Sequence, residues 1–199
     1  MIERISAILL AAGESRRMGQ PKLLLPWGSS SVLGQAVAAF AEAGIQEILV
    51  VTGAARQEVE ALAAGLARDY PVRTVFNPEY ARGGMLGSIR CGIGALDRQP
   101  RAALIGLGDQ PQVRSDTVQR ICRAFVKSGS SLVVPSFGGR RGHPWLAARP
   151  LWEEMLSLPA SATARQFIAA HAAEVTYVPA DESVLQDLDT PEDYAARRP

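Results

Sequence analysis

The chain has 199 residues, 47% of them hydrophobic and 21% charged, with a formal net charge of +1. That length suits one domain burying about 70% of its surface without a disulfide or metal staple. The balanced charge excludes a bulk polyanion partner such as duplex DNA, no apolar run approaches the ~18–20 residues that span a bilayer, and the start lacks a signal peptide's apolar core, so a cytoplasmic protein with no nucleic-acid or membrane partner is expected.

In chain order, Ile5–Ala12 is an apolar run ending in Gly13, and comparable runs follow at Glu47–Thr52, Val72–Phe76, Ala102–Leu107 and Leu132–Pro135. Continuous apolar runs of this length suit strands buried on both faces of a parallel sheet. Between them lie segments with helical spacing: Leu33, Val37 and Phe40; Val59, Leu62, Ala63 and Leu66; Met85, Ile89, Ile93 and Leu96. Each stripe is expected in the core. The second half is less regular. Arg140–Ala148 reads as a returning strand, Leu151–Leu158 and Ala162–His171 as helices, and Val175–Val178 as a short strand. Thr190-Pro191-Glu192-Asp193 has the cap, proline and early acids of a helix start. His171 falls near a helix end, as a cap or surface residue. The alternation predicts a doubly wound, Rossmann-like α/β fold in one domain, a mostly parallel sheet flanked by helices. Cys91 and Cys122 have no metal or redox spacing and are expected to be small buried hydrophobes on helices.

The segment Leu10-Ala11-Ala12-Gly13-Glu14-Ser15-Arg16-Arg17-Met18-Gly19-Gln20-Pro21-Lys22 leaves the first strand and is expected to precede a helix. Ligands in open α/β sheets bind beyond the carboxyl ends of strands. Small residues there expose a run of amides that cradle anions. Arg17 adds a fork for phosphate and Lys22 a mobile point charge. The segment is neither a Walker A loop nor the GxGxxG dinucleotide fingerprint.

Two further places carry chemistry. Asn77-Pro78 follows a strand, and Gly83-Gly84-Met85-Leu86-Gly87-Ser88 opens a helix whose N-terminus favours anions. Asp109 ends the run Ala102–Leu107 through Gly108. A carboxylate at the tip of a central strand is opposed by desolvation, and a divalent cation would offset it. Magnesium takes oxygen ligands, often one or two carboxylates plus substrate phosphates.

Leu-Ala-Ala-Gly-x-Ser-x-Arg-Met-Gly-x-x-Lys followed by Leu-Leu-Leu-Pro resembles the signature of the MobA-like nucleotidyltransferases, and within them the molybdenum cofactor cytidylyltransferase branch. The resemblance implies a nucleotide site at Leu10, Ala11, Ala12, Gly13, Ser15, Arg17 and Lys22, extended by Asn77 and Ser88. It implies Mg2+ on Asp109, within Gly-Asp-x-Pro. The closing motif Asp187-Leu188-Asp189-Thr190-Pro191-Glu192-Asp193 implies a second metal acid, Asp187, with Asp189 as the alternative. Gly142-His143-Pro144 implies an acceptor-facing strand carrying His143, with Arg141 or Arg140 available to an acceptor phosphate. Trp145 stands where an aliphatic residue is expected.

Ala11-Ala12-Gly13 resembles the cytidylyl branch rather than the guanylyl one, so CTP is the expected donor and molybdenum-loaded molybdopterin the acceptor. Arg17, Lys22 and Asp109 are the expected catalytic residues, and a transient complex with a molybdenum hydroxylase is implied. A nucleotidyltransferase for a sugar or alcohol phosphate, and a non-catalytic cofactor chaperone, remain open alternatives.

Overall fold

The structure, a computed structural model, describes residues 4–96 and 100–199. Strand β1 (Ile5–Ala11) leads through the glycine-containing loop to a 3-10 turn at Lys22–Leu24 and a small hairpin, β2 (Pro26–Trp27) and β3 (Ser30–Ser31). Helix α1 (Val32–Glu42) starts only after that hairpin, capped by the Ser31 side chain. The loop therefore does not open directly into a helix, because Pro21 and Pro26 lie on either side of the short turn and cut it off.

Then come β4 (Ile48–Thr52), α2 (Arg56–Leu66), β5 (Val72–Phe76), α3 (Gly84–Gly94), β6 (Ala102–Leu107), α4 (Ser115–Ser128) and β7 (Leu132–Phe137). The remainder is β8 (Arg140–Arg141), β9 (Trp145–Ala148), α5 (Trp152–Ser157), α6 (Ala164–Ala170), β10 (Val175–Pro179), a 3-10 turn at Glu182–Leu185 and α7 (Pro191–Arg197).

The main sheet runs β10-β7-β9-β6-β1-β4-β5, with β8 added on β7. Pairs β1–β4, β1–β6, β4–β5 and β7–β10 are parallel, while β9 runs antiparallel between β6 and β7. Period-two alternation sends Ile5, Ala7 and Leu9 into a core with α1, α2 and α4, and Ile8 to the opposite face with α3, α5 and α6. Helices thus cover both faces of a mostly parallel sheet, the expected layer order.

Several sequence expectations change. Arg140–Ala148 is two strands, because Gly142-His143-Pro144 is drawn aside: Gly142 N–H donates to the Pro135 carbonyl (2.9 Å) and His143 N–H to the Val184 carbonyl (2.9 Å). Met85 is 43% exposed rather than core. It lies in the first turn of α3, and a helix that follows a parallel strand starts beyond that strand's carboxyl end. Leu62, Leu66 and Leu96 are only partly buried at the margins of the core. Cys122 is buried on α4, and burial pushes its thiol up to about 12. Cys91 is half-buried, its Sγ 3.6 Å from the Phe76 carbonyl. Trp145 is 1% exposed, so the core accepts an indole where an aliphatic side chain was expected. His171 caps α6, with Nδ1 3.0 Å from the Phe167 carbonyl.

Gly53, just past β4, fixes the height of the first loop. A Cβ there would lie 2.7 Å from Ala12 Cα and closer still to the Ala12 carbonyl oxygen, which accepts from Ala54 N–H at 3.3 Å. Gly53→Ala is expected to push the Ala12 backbone off its seat, costing about 1–3 kcal/mol of stability and raising the KM for nucleotide more than it lowers kcat. Thermal melts and steady-state kinetics check this.

Candidate active site

Strands β1, β4 and β6 are parallel neighbours, so their carboxyl ends share one rim. The loop that follows β1 keeps most of its residues exposed. Gly13, Glu14, Arg16 and Arg17 are exposed, while Met18, 4% exposed, anchors the segment in the core. Met18 and Gly19 N–H both donate to the Ser15 carbonyl, at 3.0 and 3.1 Å. The turn is tight enough to place Ser15 at φ 49° and Gly19 at φ 69°. A non-glycine residue in the left-handed region costs energy and is concentrated at ligand-binding sites. Ser15 also ties the loop to its end, its Oγ 3.4 Å from Lys22 N.

A cleft of about 250 Å3 opens between this loop, Asp109 and Asp189. Lys22 lies at its centre. Its ammonium is ion-paired with Asp109 Oδ2 and donates to Asp189 Oδ1 at 3.1 Å. Arg17 reaches the other oxygen of Asp189 at 2.6 Å. Burial alone would favour a neutral lysine, but the charges and hydrogen bonds of Asp109 and Asp189 prevail and hold its pKa above the usual value. Lys22 is a fixed cation.

Asp187 completes the acidic group. Burial raises its pKa first, and the Asp109 charge second, with Asp189 adding to it; a hydrogen bond from Gln110 and the Lys22 charge oppose the rise. Three carboxylates therefore face two cations. All three lie on segments that the backbone links, since Leu188 N–H donates to the Asp109 carbonyl (3.2 Å). Helix α7 secures the last segment. Thr190 and Asp193 form a capping box, Arg197 donates to the Asp187 carbonyl (2.8 Å), and Tyr194 Oη donates to the Pro26 carbonyl (2.6 Å).

The donors are all oxygens, as a hard divalent cation requires, and their negative charge exceeds that of the cations beside them. Among the described residues no three His, Cys, Asp or Glu side chains form a ready cage. A magnesium held by one or two carboxylates and substrate phosphates needs none.

The other expected site residues are placed differently. Asn77 and Ser88 are 3% and 4% exposed, and Asn77 Nδ2 donates to Ser88 Oγ at 3.1 Å. Asn77 Oδ1 also accepts from Glu79 N–H at 3.0 Å. Their polar atoms join the end of β5 to α3. Arg141 is exposed on β8, with Nε donating to Tyr177 Oη at 3.1 Å. His143 is half-buried, and surrounding protein desolvates it and pushes its pKa down to about 4. Its backbone shares the Val184 carbonyl with the Gln110 side chain, which puts it next to the Asp187 segment.

His143 is thus neutral in the folded protein near pH 7. The unfolded chain takes up this proton near pH 6.5, the fold only near pH 4. Its stabilising contribution is therefore whole above pH 6.5 and is lost as pH falls toward 4, by up to about 3 kcal/mol. An NMR titration is expected to show one imidazole near pH 4 that disappears in His143→Gln.

Sequence reasoning missed the roles of Gln110 and Arg197, and it named Asp189 as the alternative metal acid but not as the partner of Lys22 and Arg17. Only Asp189 left a signal, as the second acid two residues after Asp187.

Comparison with known proteins bears on the family of the chain. Residues 7–175 match a family model described as the MobA-like NTP transferase domain. The molybdenum cofactor cytidylyltransferase of Escherichia coli K12 is 27% identical over 96% of this chain and 93% of its own. The nicotine blue oxidoreductase of Paenarthrobacter nicotinovorans is 32% identical over 94% and 93%. Among solved structures, a nucleotidyl transferase from Methanothermobacter thermautotrophicus superposes with a TM-score of 0.81 at 27% identity, covering 98% of this chain and 96% of that one. Rv0371c of Mycobacterium tuberculosis H37Rv, solved as a complex with manganese, gives a TM-score of 0.77 at 25% identity, covering 97% and 96%.

Proposed function

The chain belongs to the MobA-like NTP transferase family, and from that premise we propose that it transfers CMP from CTP to the phosphate of molybdenum-loaded molybdopterin with the help of Mg2+. Nucleotidyl transfer is the family's chemistry. CTP, the pterin and magnesium are the finer reading. The observation that carries it is Lys22 fixed between Asp109 and Asp189, in a cleft lined by the loop that follows β1. The similarity along almost the whole chain to a molybdenum cofactor cytidylyltransferase supports the donor and acceptor. The manganese complex of a structural neighbour supports a divalent ion.

In the reaction an oxygen of the acceptor phosphate attacks the α-phosphorus of CTP. A new P–O–P link forms, the bond from the α-phosphorus to its bridging oxygen breaks, and pyrophosphate leaves with that oxygen. The acceptor is already an anionic nucleophile, so positioning and charge neutralisation are what the protein must provide. Asp109 and Asp187 would hold the magnesium ion, which offsets charge on the triphosphate. The end of β1 at Leu10 and Ala11 and the loop residues Gly13 to Ser15 line the cleft in which the phosphates would lie. Arg17 and Lys22 exchange their carboxylate partners for phosphate oxygens, and Lys22 neutralises the departing pyrophosphate. Asn77 and Ser88 hold the neighbouring wall rigid. His143, neutral, offers the acceptor a hydrogen bond rather than a charge, with Arg141 at the outer edge for its phosphate.

The similarity to a nicotine blue oxidoreductase offers a second reading, oxidoreduction of a small molecule. The first loop lacks the GxGxxG fingerprint that such a reading would call for if the reductant were a dinucleotide. Mass spectrometry of a reaction containing CTP, magnesium and molybdenum-loaded pterin separates the two. The expected product is the pterin enlarged by one CMP. An unchanged pterin, with nicotinamide oxidised in a parallel assay, would favour the oxidoreductase. A CMP adduct on a sugar or alcohol phosphate alone would move the acceptor. Nucleotide binding with no product would indicate a chaperone, and with it a handover to a molybdenum hydroxylase.

A further inference from the structure

We propose that Gln110 is the positioning residue for Asp187, aiming one carboxylate oxygen at the catalytic cation by occupying the other. This rests on reading Asp187 as a ligand of that cation.

Gln110 is 2% exposed. Its amide nitrogen has two protons and two acceptors: Asp187 Oδ1 at 2.6 Å and the Val184 carbonyl at 3.4 Å. Its amide oxygen is buried and accepts nothing. Leaving a buried acceptor unpaired is unfavourable, and an aliphatic side chain of similar volume would fill the space without that cost. Packing therefore does not explain a glutamine at this place. A flipped amide is disfavoured as well, since its oxygen would face the Val184 carbonyl and an ionised Asp187 with no proton between them. What the residue gains is a pair of donors aimed at the 184–187 segment.

Asp187 needs such a strut. Asp109 and Asp189 repel its charge and Lys22 offsets this only in part, so the repulsion favours swinging its carboxylate away. Its backbone is held from the other side by Arg197, which fixes the chain but not the side-chain torsions. Gln110 occupies Oδ1, and Oδ2 is the oxygen that the proposal assigns to the cation. It follows Asp109 directly in sequence, so a single turn after β6 supplies one acid and orients the other. Partners that orient a metal ligand typically contribute 10–100-fold to metal affinity.

Mn2+ binding, followed by electron paramagnetic resonance of the free ion with and without CTP, tests this apart from turnover. Gln110→Met is expected to weaken Mn2+ binding in the presence of CTP by about 10–100-fold, while metal-free CTP binding stays within twofold, because Arg17 and Lys22 are untouched. Gln110→Glu keeps the shape, removes both donors and adds a charge beside Asp187, so a larger loss is expected. In an Asp187→Asn background Gln110→Met should cost little more. Wild-type Mn2+ affinity in a folded Gln110→Met or Gln110→Glu protein overturns the proposal. So does an undiminished further loss in the Asp187→Asn background. Asp109→Asn separates the two levels: if it weakens Mn2+ binding while the Gln110 variants do not, only the positioning role falls. If it too leaves Mn2+ binding unchanged, the cation reading falls and the proposal with it.

Discussion

Asp109→Ala is expected to lower nucleotidyl transfer by at least about 1000-fold, equivalent to about 4 kcal/mol of transition-state stabilisation, and to leave a folded protein. The loss follows from its position: Asp109 comes directly off the central sheet, faces the phosphate loop and is ion-paired with Lys22. Stability is spared because Lys22 keeps Asp189 as a partner and Asp187 loses a like charge beside it. The variant should melt within a few degrees of wild type and still bind metal-free CTP. Near-wild-type turnover in that folded variant would reject the metal assignment.

Lys22→Met has a different signature. It should cost about 2.7–4 kcal/mol of transition-state stabilisation, a 100- to 1000-fold loss in kcat, if the lysine neutralises the leaving pyrophosphate. It should also destabilise the free protein, because Asp109, Asp187 and Asp189 then face one another without the ammonium between them, with Arg17 still paired to Asp189. A divalent ion compensates that charge. Adding Mg2+ is therefore expected to raise the melting temperature of Lys22→Met more than that of wild type, where the ion must first displace the lysine. Differential scanning fluorimetry across magnesium concentrations measures this difference. Equal shifts in both proteins would mean that Lys22 does not compete with the cation.

Much of the architecture is legible locally. The apolar runs at β1, β4, β6 and β7 are buried on both faces, so composition alone marks them, and the phosphate loop is contiguous in sequence. What escapes is what depends on remote partners. The break in Arg140–Ala148 arises because Val184 receives the His143 N–H and packs against Gly142. Lys22 and Asp189 are 167 residues apart, and no spacing announces their contact. Met85 has the right helical phase for the core but lies past the sheet rim, where periodicity cannot report depth. Asn77 and Ser88 come to the nucleotide site through the resemblance, and no spacing announces the hydrogen bond between them.

The most direct test of the account is pyrophosphate release with magnesium, comparing CTP, GTP, ATP and UTP, with and without molybdenum-loaded molybdopterin. The account predicts release with CTP only when the pterin is present. Release with GTP instead, or none with any nucleotide and the pterin, would contradict it.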